Sequence, residues 1–291
     1  MKMEIRPARR SKAKLRLGMS APSGAGKTYS ALLLAHGLGG RVGIIDTEHR
    51  SADLYADLLP GGFDVLELPP PFSPDNYVAA IHAFELAGAS TIIVDSLSHA
   101  WIGEGGALDM QGKIADKTGN SWSAWRTVTP KHNALVEAML QSPCHIIATM
   151  RSKTEYVQES EGGKSKVKKI GLAPIMRDGI EYEFTVMMEI DQSHTANASK
   201  DRTRIFKDQF FTITPDTGKK LLAWLDEGDG PPQELSETRL NDALLSISEA
   251  ADIDALKAAY ESAARTASEE QKKALNRATN ARKNELMGEQ A

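Results

Sequence analysis

The sequence lacks the features of an extracellular or membrane protein. It has one cysteine, Cys144, so no disulfide can form within the chain, and we expect a buried, unreactive thiol in a reducing compartment. No apolar run approaches the length of a membrane span, and the N-terminus lacks the apolar core of a signal peptide, so we expect no membrane partner. The histidines show no paired ligand spacing, which argues against structural zinc.

An excess of positive charge is also missing. The net charge of −4 argues against a globally basic nucleic-acid-binding protein. Lysines nevertheless cluster after Gly162 and Gly163, and residues 154–158 before these glycines are typical of a strand. This pattern predicts a hairpin that turns at the two glycines.

A glycine-rich loop is the clearest motif that the sequence does contain. Residues 21–28 read Ala-Pro-Ser-Gly-Ala-Gly-Lys-Thr, between an alternating strand at 15–20 and an Ala/Leu-rich run at 29–38 that suits a helix. This order is typical of a phosphate-binding loop. The candidate nucleotide-binding residues are Ala21, Pro22, Ser23, Gly24, Ala25, Gly26, Lys27, Thr28 and Tyr29.

The residue types in this loop match the needs of a triphosphate. Gly24 and Gly26 let the backbone N–H groups approach the phosphates, and Lys27 can reach the β- and γ-phosphates. The Thr28 hydroxyl can hold Mg²⁺. The sequence therefore predicts ATP and Mg²⁺ as cofactors.

Two further apolar strands end in acidic residues. Residues 91–95 form an apolar run closed by Asp95, whose carboxylate is expected to reach the metal at the loop. Residues 42–45 run into Glu48, and neighbouring parallel strands end at the same ligand crevice. Glu48 is thus a candidate catalytic base that orients an attacking water.

Each acid also has a structural interpretation. Asp95 could be a capping residue at the end of an ordinary core strand. Asp46 could cap the next helix, with Glu48 merely an acid in its first turn.

These acidic strand ends resemble those of the bacterial RecA recombinases. The resemblance rests on residues 46–49 followed by Asp53, Tyr55, Ala56 and Leu58, and on Val94-Asp95-Ser96, and the order agrees over residues 13–225. The phosphate loop begins at residue 21, so the chain is similar to core-only RecA-like ATPases of bacteriophages. Within that group it most resembles the single-strand annealing ATPases of the Sak-four type.

The resemblance implies a RecA-like α/β fold, a P-loop NTPase with a mainly parallel twisted sheet flanked by helices. It implies that Lys27 is the loop lysine, Thr28 the metal-holding hydroxyl, Glu48 the catalytic glutamate and Asp95 the aspartate beside the metal. The first loop position departs from the family's glycine, since it is Ala21.

Later segments supply further candidates. Residues 145–150 predict a buried strand that places Thr149 near the γ-phosphate or the attacking water, and strands are also expected at 182–191, 204–207 and 211–213. In the RecA pattern, such a strand pair delivers cations to a neighbouring subunit's ATP. Arg204 and Lys207 are the candidates for this role, with Arg177 as the competing choice.

The RecA pattern also presents a DNA-binding loop where the predicted hairpin lies. The DNA-binding candidates there are Arg151, Lys153, Lys164, Lys166, Lys168 and Lys169. A solvated hairpin with no partner is the alternative. Trp101, Trp122 and Trp125 flank a glycine-rich segment, 103–120, that we expect to be mobile; such tryptophans are either stacking surfaces for bases or core residues.

The predicted domains are an ATPase core at 1–229, an acidic turn-rich linker at 230–235 and a small helical C-terminal appendage at 236–291. The expected function is phage-type DNA recombination in a bacterial cytoplasm, by a homo-oligomeric ring or filament on single-stranded DNA. A single-strand binding protein or another recombination protein is a possible partner. The alternatives are an ATPase that loads or remodels a replication protein, and a nucleotide-gated binding module with little turnover.

Overall fold

The structure, a computed structural model, describes residues 12–161, 164–227, 237–264, 267 and 269–288. Residues 14–225 form one compact unit, and the residues from 226 onward belong to a second. The linker predicted at 230–235 lies outside the described residues, so the boundary predicted there stays a prediction.

The first unit is built on a sheet whose strands are short and buried at its centre. The described strands are β1 Arg16–Ala21, β2 Val42–Asp46, β3 Asp64–Glu67, β4 Thr91–Asp95, β5 His145–Glu161, β6 Lys164–Pro174, β7 Val186–Ile190, β8 Ala196–Asp201 and β9 Phe210–Phe211. Their order is β3-β2-β4-β5-β1-β7-β8-β9, with β6 paired to β5. Neighbouring strands from β3 to β7 are parallel, whereas β6, β8 and β9 pair antiparallel. The predicted α/β fold is confirmed.

Helices cover both faces of this sheet. The described helices of this unit are α1 Lys27–Leu38, α2 Pro74–Leu86, α3 His99–Ile102, α4 Ala107–Thr118, α5 Ser121–Gln141 and α6 Pro215–Asp226. Successive strand residues enter opposite cores, because side chains alternate along a strand. Ile93 packs in the core that contains α1 and α6, and its neighbours Ile92 and Val94 pack in the core that contains α2 and α5.

The expectation that residues 103–120 lack a helix is wrong, since α4 occupies most of this segment, while the mobility expected for it stays a prediction. The glycines lie around the helix more than within it. Gly105 and Gly106 precede α4, and Gly119 ends it with a left-handed φ of 67°. Only Gly112 is interior, where one glycine costs about 1 kcal/mol and does not prevent a helix.

The region from 180 to 213 also differs from the sequence prediction. The strand expected at 182–191 is shorter, because a 3₁₀ turn, Ile180–Tyr182, precedes β7. The strand expected at 204–207 is wrong: the Asp201 carboxylate accepts hydrogen bonds from the Thr203 and Phe206 N–H groups and folds the chain into a turn. Strand β8 was not predicted.

The second unit is helical, as predicted. It contains α7 Glu237–Ser248, α8 Ile253–Ala264 and α9 Glu269–Gly288. These helices share a small core of their own around Ile247, Leu256 and Leu275. Across the part of the chain that the structure describes, no helix is both long and apolar enough to cross a membrane.

Candidate active site

The phosphate loop has the predicted strand–loop–helix form. Strand β1 ends at Ala21 and α1 begins at Lys27. Between them, Gly24 and Gly26 have φ values of 78° and 82°, a left-handed conformation that side chains with a Cβ rarely adopt. The two glycines are therefore required by the backbone path, which turns the loop over the end of the sheet.

A cavity of about 500 Å³ lies against this loop. It is lined by Ser23, Gly24, Gly26, Lys27, Thr28, Glu48, Ser51, Tyr55, Asp95, Arg151, Ser152 and Ile175. The structure thus brings the loop and both predicted carboxylates together. The other predicted loop residues lie around the cavity: Ala21 and Ala25 are buried in the core, Pro22 accepts from Lys27, and Tyr29 packs edge-on against Tyr55.

Lys27 lies along the loop. Its Nζ donates to the carbonyl oxygens of Pro22 at 3.2 Å and Ala21 at 3.4 Å. Burial lowers the pKa of this ammonium, and the charges of Asp95 and Glu48 oppose that effect. A triphosphate in the cavity would replace weak carbonyl partners with strong anionic ones.

Asp95 lies beneath the cavity between two threonines. Its carboxylate accepts hydrogen bonds of 2.5 Å from the hydroxyls of Thr28 and Thr149. Burial raises the Asp95 pKa, while the two threonine hydrogen bonds lower it. The pairing of Thr28 with Asp95 is the arrangement predicted for a metal at the loop.

Thr149 lies farther from the cavity than the sequence suggested. It is completely buried on β5, and its hydroxyl donates a hydrogen bond to the Asp95 carboxylate. Thr149 does not line the cavity, so its predicted contact with the γ-phosphate stays a prediction. In the structure it positions Asp95.

The structural interpretation of the chain after β2 holds for Asp46 and fails for Glu48, whose role as a base stays a prediction. Asp46 does cap the following turn, since its carboxylate accepts from the backbone N–H groups of Glu48 at 2.6 Å and Ala52 at 3.0 Å. Glu48, however, is not a first-turn acid of that segment. It precedes the 3₁₀ turn Ser51–Tyr55 and lines the cavity.

An ion pair that the sequence did not predict holds Glu48. The guanidinium of Arg151, on β5, donates two hydrogen bonds of 2.9 Å to the two carboxylate oxygens of Glu48. Burial alone would raise the Glu48 pKa, but the hydrogen bond and charge of Arg151, with His99 and Lys27, hold it below its usual value. The DNA contact predicted for Arg151 stays a prediction, and its observed partner is the candidate base.

Replacing Arg151 with glutamine should shift the acidic limb of the pH–activity profile to higher pH. As the candidate base, Glu48 must be ionised to accept a proton, so ATP turnover is expected to fall as pH falls through its pKa. Removing Arg151 removes the main effects that lower this pKa and leaves the burial that raises it. ATPase rates measured from about pH 4 to pH 8 test this, with Arg41→Gln as the control, because Arg41 pairs with exposed Asp64. An unshifted limb would contradict the role of the pair.

The turn between β7 and β8 packs on the phosphate loop, which sequence reasoning missed. Gln192 Nε2 donates to the Ser23 carbonyl oxygen at 3.2 Å, and His194 Nδ1 lies 3.1 Å from the Ala25 carbonyl oxygen. A Cβ on Gly26 would lie 3.3 Å from the His194 ring. No local sequence motif predicts this contact, because it joins residues far apart in the chain.

The cations predicted to act on a neighbouring subunit lie outside the cavity. Arg204 and Lys207 are exposed in the turn that follows β8, and neither lines the cavity. Arg177, the competing choice, follows β6 and lines a different cavity. Because the structure describes one chain, the contact of these cations with a neighbouring subunit's ATP stays a prediction.

The predicted hairpin is present as β5 and β6, with Glu161 opposite Lys164. Its turn at Gly162 and Gly163 lies outside the described residues, as do the side chains of the four lysines on β6. Lys153 is exposed near the hairpin base. Strand β5 begins in the buried sheet, passes the cavity at Arg151 and Ser152, and continues into the hairpin.

One known protein family matches the part of the chain that forms this site. The AAA domain family matches residues 13–220, which include β1, the phosphate loop, all the residues that line its cavity and the first half of α6. No curated protein matches the chain. The match supports nucleotide binding, while the likeness to RecA recombinases and a phage origin stay predictions.

Proposed function

The chain belongs to the AAA domain family of P-loop NTPases, and from this premise we propose that it hydrolyses ATP while assembling on single-stranded DNA. In this proposal it promotes annealing or strand pairing in recombination, in the cytoplasm of a bacterial host. The likeness of residues 46–58 and 94–96 to RecA recombinases supports the recombination role.

Hydrolysis requires an attacking water and a group that takes its proton. Glu48 lines the same cavity as Lys27 and Thr28, so it can orient a water toward the γ-phosphorus. The water oxygen forms a bond to that phosphorus, the bond to the bridging oxygen of ADP breaks, and the proton passes to the Glu48 carboxylate. Each carboxylate oxygen that binds Arg151 still has a lone pair for the water.

The charges in the cavity suit a nucleotide that carries a divalent cation. Lys27 and Arg151 balance Glu48 and Asp95, so the charge of a triphosphate would be uncompensated without a metal. Thr28 and Asp95 would hold Mg²⁺ together with the phosphates, where it neutralises developing charge. The described residues contain no cluster of three acidic, histidine or cysteine side chains that could hold a metal without the nucleotide.

The observation that carries the DNA proposal is the continuity of β5. Within one strand, Thr149 binds Asp95, Arg151 binds Glu48, and residues 153–161 form the first half of the hairpin. A change in the contacts of Arg151 when nucleotide binds would therefore act on the base of the hairpin. This supports a coupling between nucleotide state and DNA binding.

The four lysines of β6 differ in the residues that lie opposite them on β5. Lys164 lies opposite Glu161, and Lys166 lies opposite Glu159. Lys168 lies opposite Val157 and Lys169 opposite Tyr156, so neither has an acid directly across the pair. An acid in register with a lysine lowers the net positive charge at that level of the hairpin, so we expect Lys168 and Lys169 to contribute most to phosphate binding.

Replacing both Lys168 and Lys169 with glutamine should weaken binding to a single-stranded oligonucleotide by about tenfold at low salt. The slope of log affinity against log salt should also become shallower by about 1.4, because two phosphate contacts are lost and each contributes about 0.7 on a single strand. Fluorescence anisotropy with a labelled thymidine oligonucleotide measures the affinity, and ATP turnover with and without DNA across protein concentrations measures stimulation and assembly.

The control removes a lysine without changing the net charge. Glu159→Gln combined with Lys166→Gln deletes one opposite pair and should leave the affinity nearly unchanged. If DNA binding survives neutralisation of all four β6 lysines, the hairpin is not the DNA site. If DNA neither binds nor stimulates turnover in the unaltered protein, the recombination proposal is wrong and the loading ATPase or gated module is preferred.

A further inference from the structure

A second cavity, of about 660 Å³, lies in the core unit away from the phosphate loop. Its lining comprises Trp101, Trp122, Trp125, Arg126 and Arg177, with Thr129 and Pro130. No residue lines both this cavity and the one at the phosphate loop. We call it the tryptophan cleft.

Helix α5 builds one wall of the cleft. Trp122, Trp125, Arg126 and Thr129 follow the spacing i, i+3, i+4, i+7, which places them on one helical face. Trp125 stacks on Trp101 of α3, with ring centroids 5.7 Å apart and planes inclined by 23°. The stacked pair forms a preformed aromatic wall.

Trp122 is not explained by core packing. Its side chain is 83% exposed, whereas Trp101 is partly buried and packs against the α2 and α5 core. Tryptophan is the largest apolar side chain, and a large exposed aromatic beside a cavity is typical of a binding surface. Trp122 thus offers an open ring face next to the stacked pair.

The charge of the cleft has one sign. Both of its charged lining residues are arginines, Arg126 and Arg177. Neither forms an ion pair with any residue in the described part of the core unit. An aromatic wall beside two unpaired guanidinium groups suits a ligand that has both a π-face and a negative charge, as a nucleotide unit of a single strand has.

The segments that build the cleft adjoin the candidate active site and the hairpin in the chain. Helix α3 begins four residues after Asp95, and Ser98 just before it accepts a hydrogen bond from the Arg151 N–H group. On the other side, β6 leads to Ile175, which lines the phosphate-loop cavity, and then to Arg177. Trp101 and Arg177 of the cleft are thus each within six residues of a residue that lines the phosphate-loop cavity.

We propose that the tryptophan cleft binds an unpaired base of single-stranded DNA, with the base stacked on Trp122 and a flanking phosphate held by Arg126 and Arg177. This rests on the proposed function, and it assigns DNA contact to a site separate from the hairpin. Stacking on an aromatic ring tolerates any base, so the site selects single strands and not a sequence.

Trp122→Ala should weaken binding of a labelled thymidine oligonucleotide by about tenfold, the contribution typical of one stacked base. Trp122→Phe should restore part of the affinity, because a smaller ring still stacks. Phe210→Ala is the matched control, since Phe210 is 78% exposed on β9 and does not line the cleft. Turnover of ATP without DNA should be unchanged in all three variants, which checks that they are folded.

An abasic oligonucleotide of equal length separates stacking from charge. It should bind the unaltered protein and Trp122→Ala with equal affinity, because it has no base to stack. If the unaltered protein binds DNA but Trp122→Ala binds it equally well, the cleft proposal is overturned and the proposed function stands. If the unaltered protein binds no single-stranded DNA, both are overturned.

Discussion

Replacing Glu48 with glutamine should reduce ATP turnover by about 10²- to 10⁴-fold, the contribution typical of a positioned general base. The amide has nearly the same shape as the carboxylate but cannot accept the proton of the attacking water. The phosphate loop, Lys27 and the pair of Thr28 with Asp95 are untouched by this change. Affinity for ATP should therefore remain within a few-fold of that of the unaltered protein.

The substitution also breaks the ion pair with Arg151, and the resulting loss of folding stability has an upper limit. The Arg151 side chain is 41% exposed, so water can solvate the guanidinium when its partner is neutral. A partly exposed pair contributes about 1 kcal/mol or less, which is too little to unfold the protein. The loss of turnover can thus be attributed to chemistry.

Glu67→Gln is the matched control for Glu48→Gln. Glu67 ends β3 and lies opposite Asp46 in the register, one strand farther from the centre of the sheet. Its carboxylate lies 3.9 Å from Arg50 and does not line the cavity, so turnover should be unchanged. Turnover is measured as phosphate release under saturating ATP and Mg²⁺. Normal turnover in Glu48→Gln would show that the assigned base is wrong.

Gly37→Ala should destabilise the core unit by about 1–3 kcal/mol, the usual cost of forcing an extra carbon into a packed site. Gly37 lies in α1, where a Cβ would approach the Pro215 carbonyl oxygen of α6 to 1.9 Å. Gly218 of α6 has the reciprocal constraint, since its Cβ would lie 2.2 Å from the Leu34 carbonyl oxygen. The two helices meet through their backbones, so no side chain can move aside.

Gly112→Ala separates this clash from the intrinsic helix preference of alanine. Gly112 is also inside a helix, α4, and a Cβ there would meet nothing within 4 Å. Alanine in that position should stabilise the protein by about 0.5–1 kcal/mol. Urea unfolding of both variants gives the two free energies. Equal effects of the two substitutions would contradict the backbone contact between α1 and α6.

Local chemistry made the phosphate loop predictable. Its function depends on residues adjacent in the chain: glycines that can adopt a positive φ, then Lys27 and Thr28 at the start of a helix. The acids at Asp95 and Glu48 were also predictable, because parallel strands end at one edge and apolar runs mark such strands.

Other elements were not predictable from local pattern. Helix α4 was missed because its flanking glycines resemble those of a loop. A strand was predicted at 204–207 because Ile205 and Phe206 are apolar, and no local pattern indicated that the Asp201 carboxylate accepts a hydrogen bond from the Phe206 N–H group. Arg151 was assigned to the hairpin alone. Its partner Glu48 is 103 residues away, and no sequence period relates the two.

The amino-acid sequence by itself determined the phosphate loop, the acidic strand ends and the α/β class, since each follows from residues close together in the chain. Only the tertiary structure decided which side chains meet: Arg151 with Glu48, His194 with the loop, and three tryptophans with two arginines around one cleft. The physical reason is the strand order, in which β4 separates β2 from β5 and β1 lies between β5 and β7. The packing of the whole core sets this strand order, and the strand order decides which distant residues come into contact.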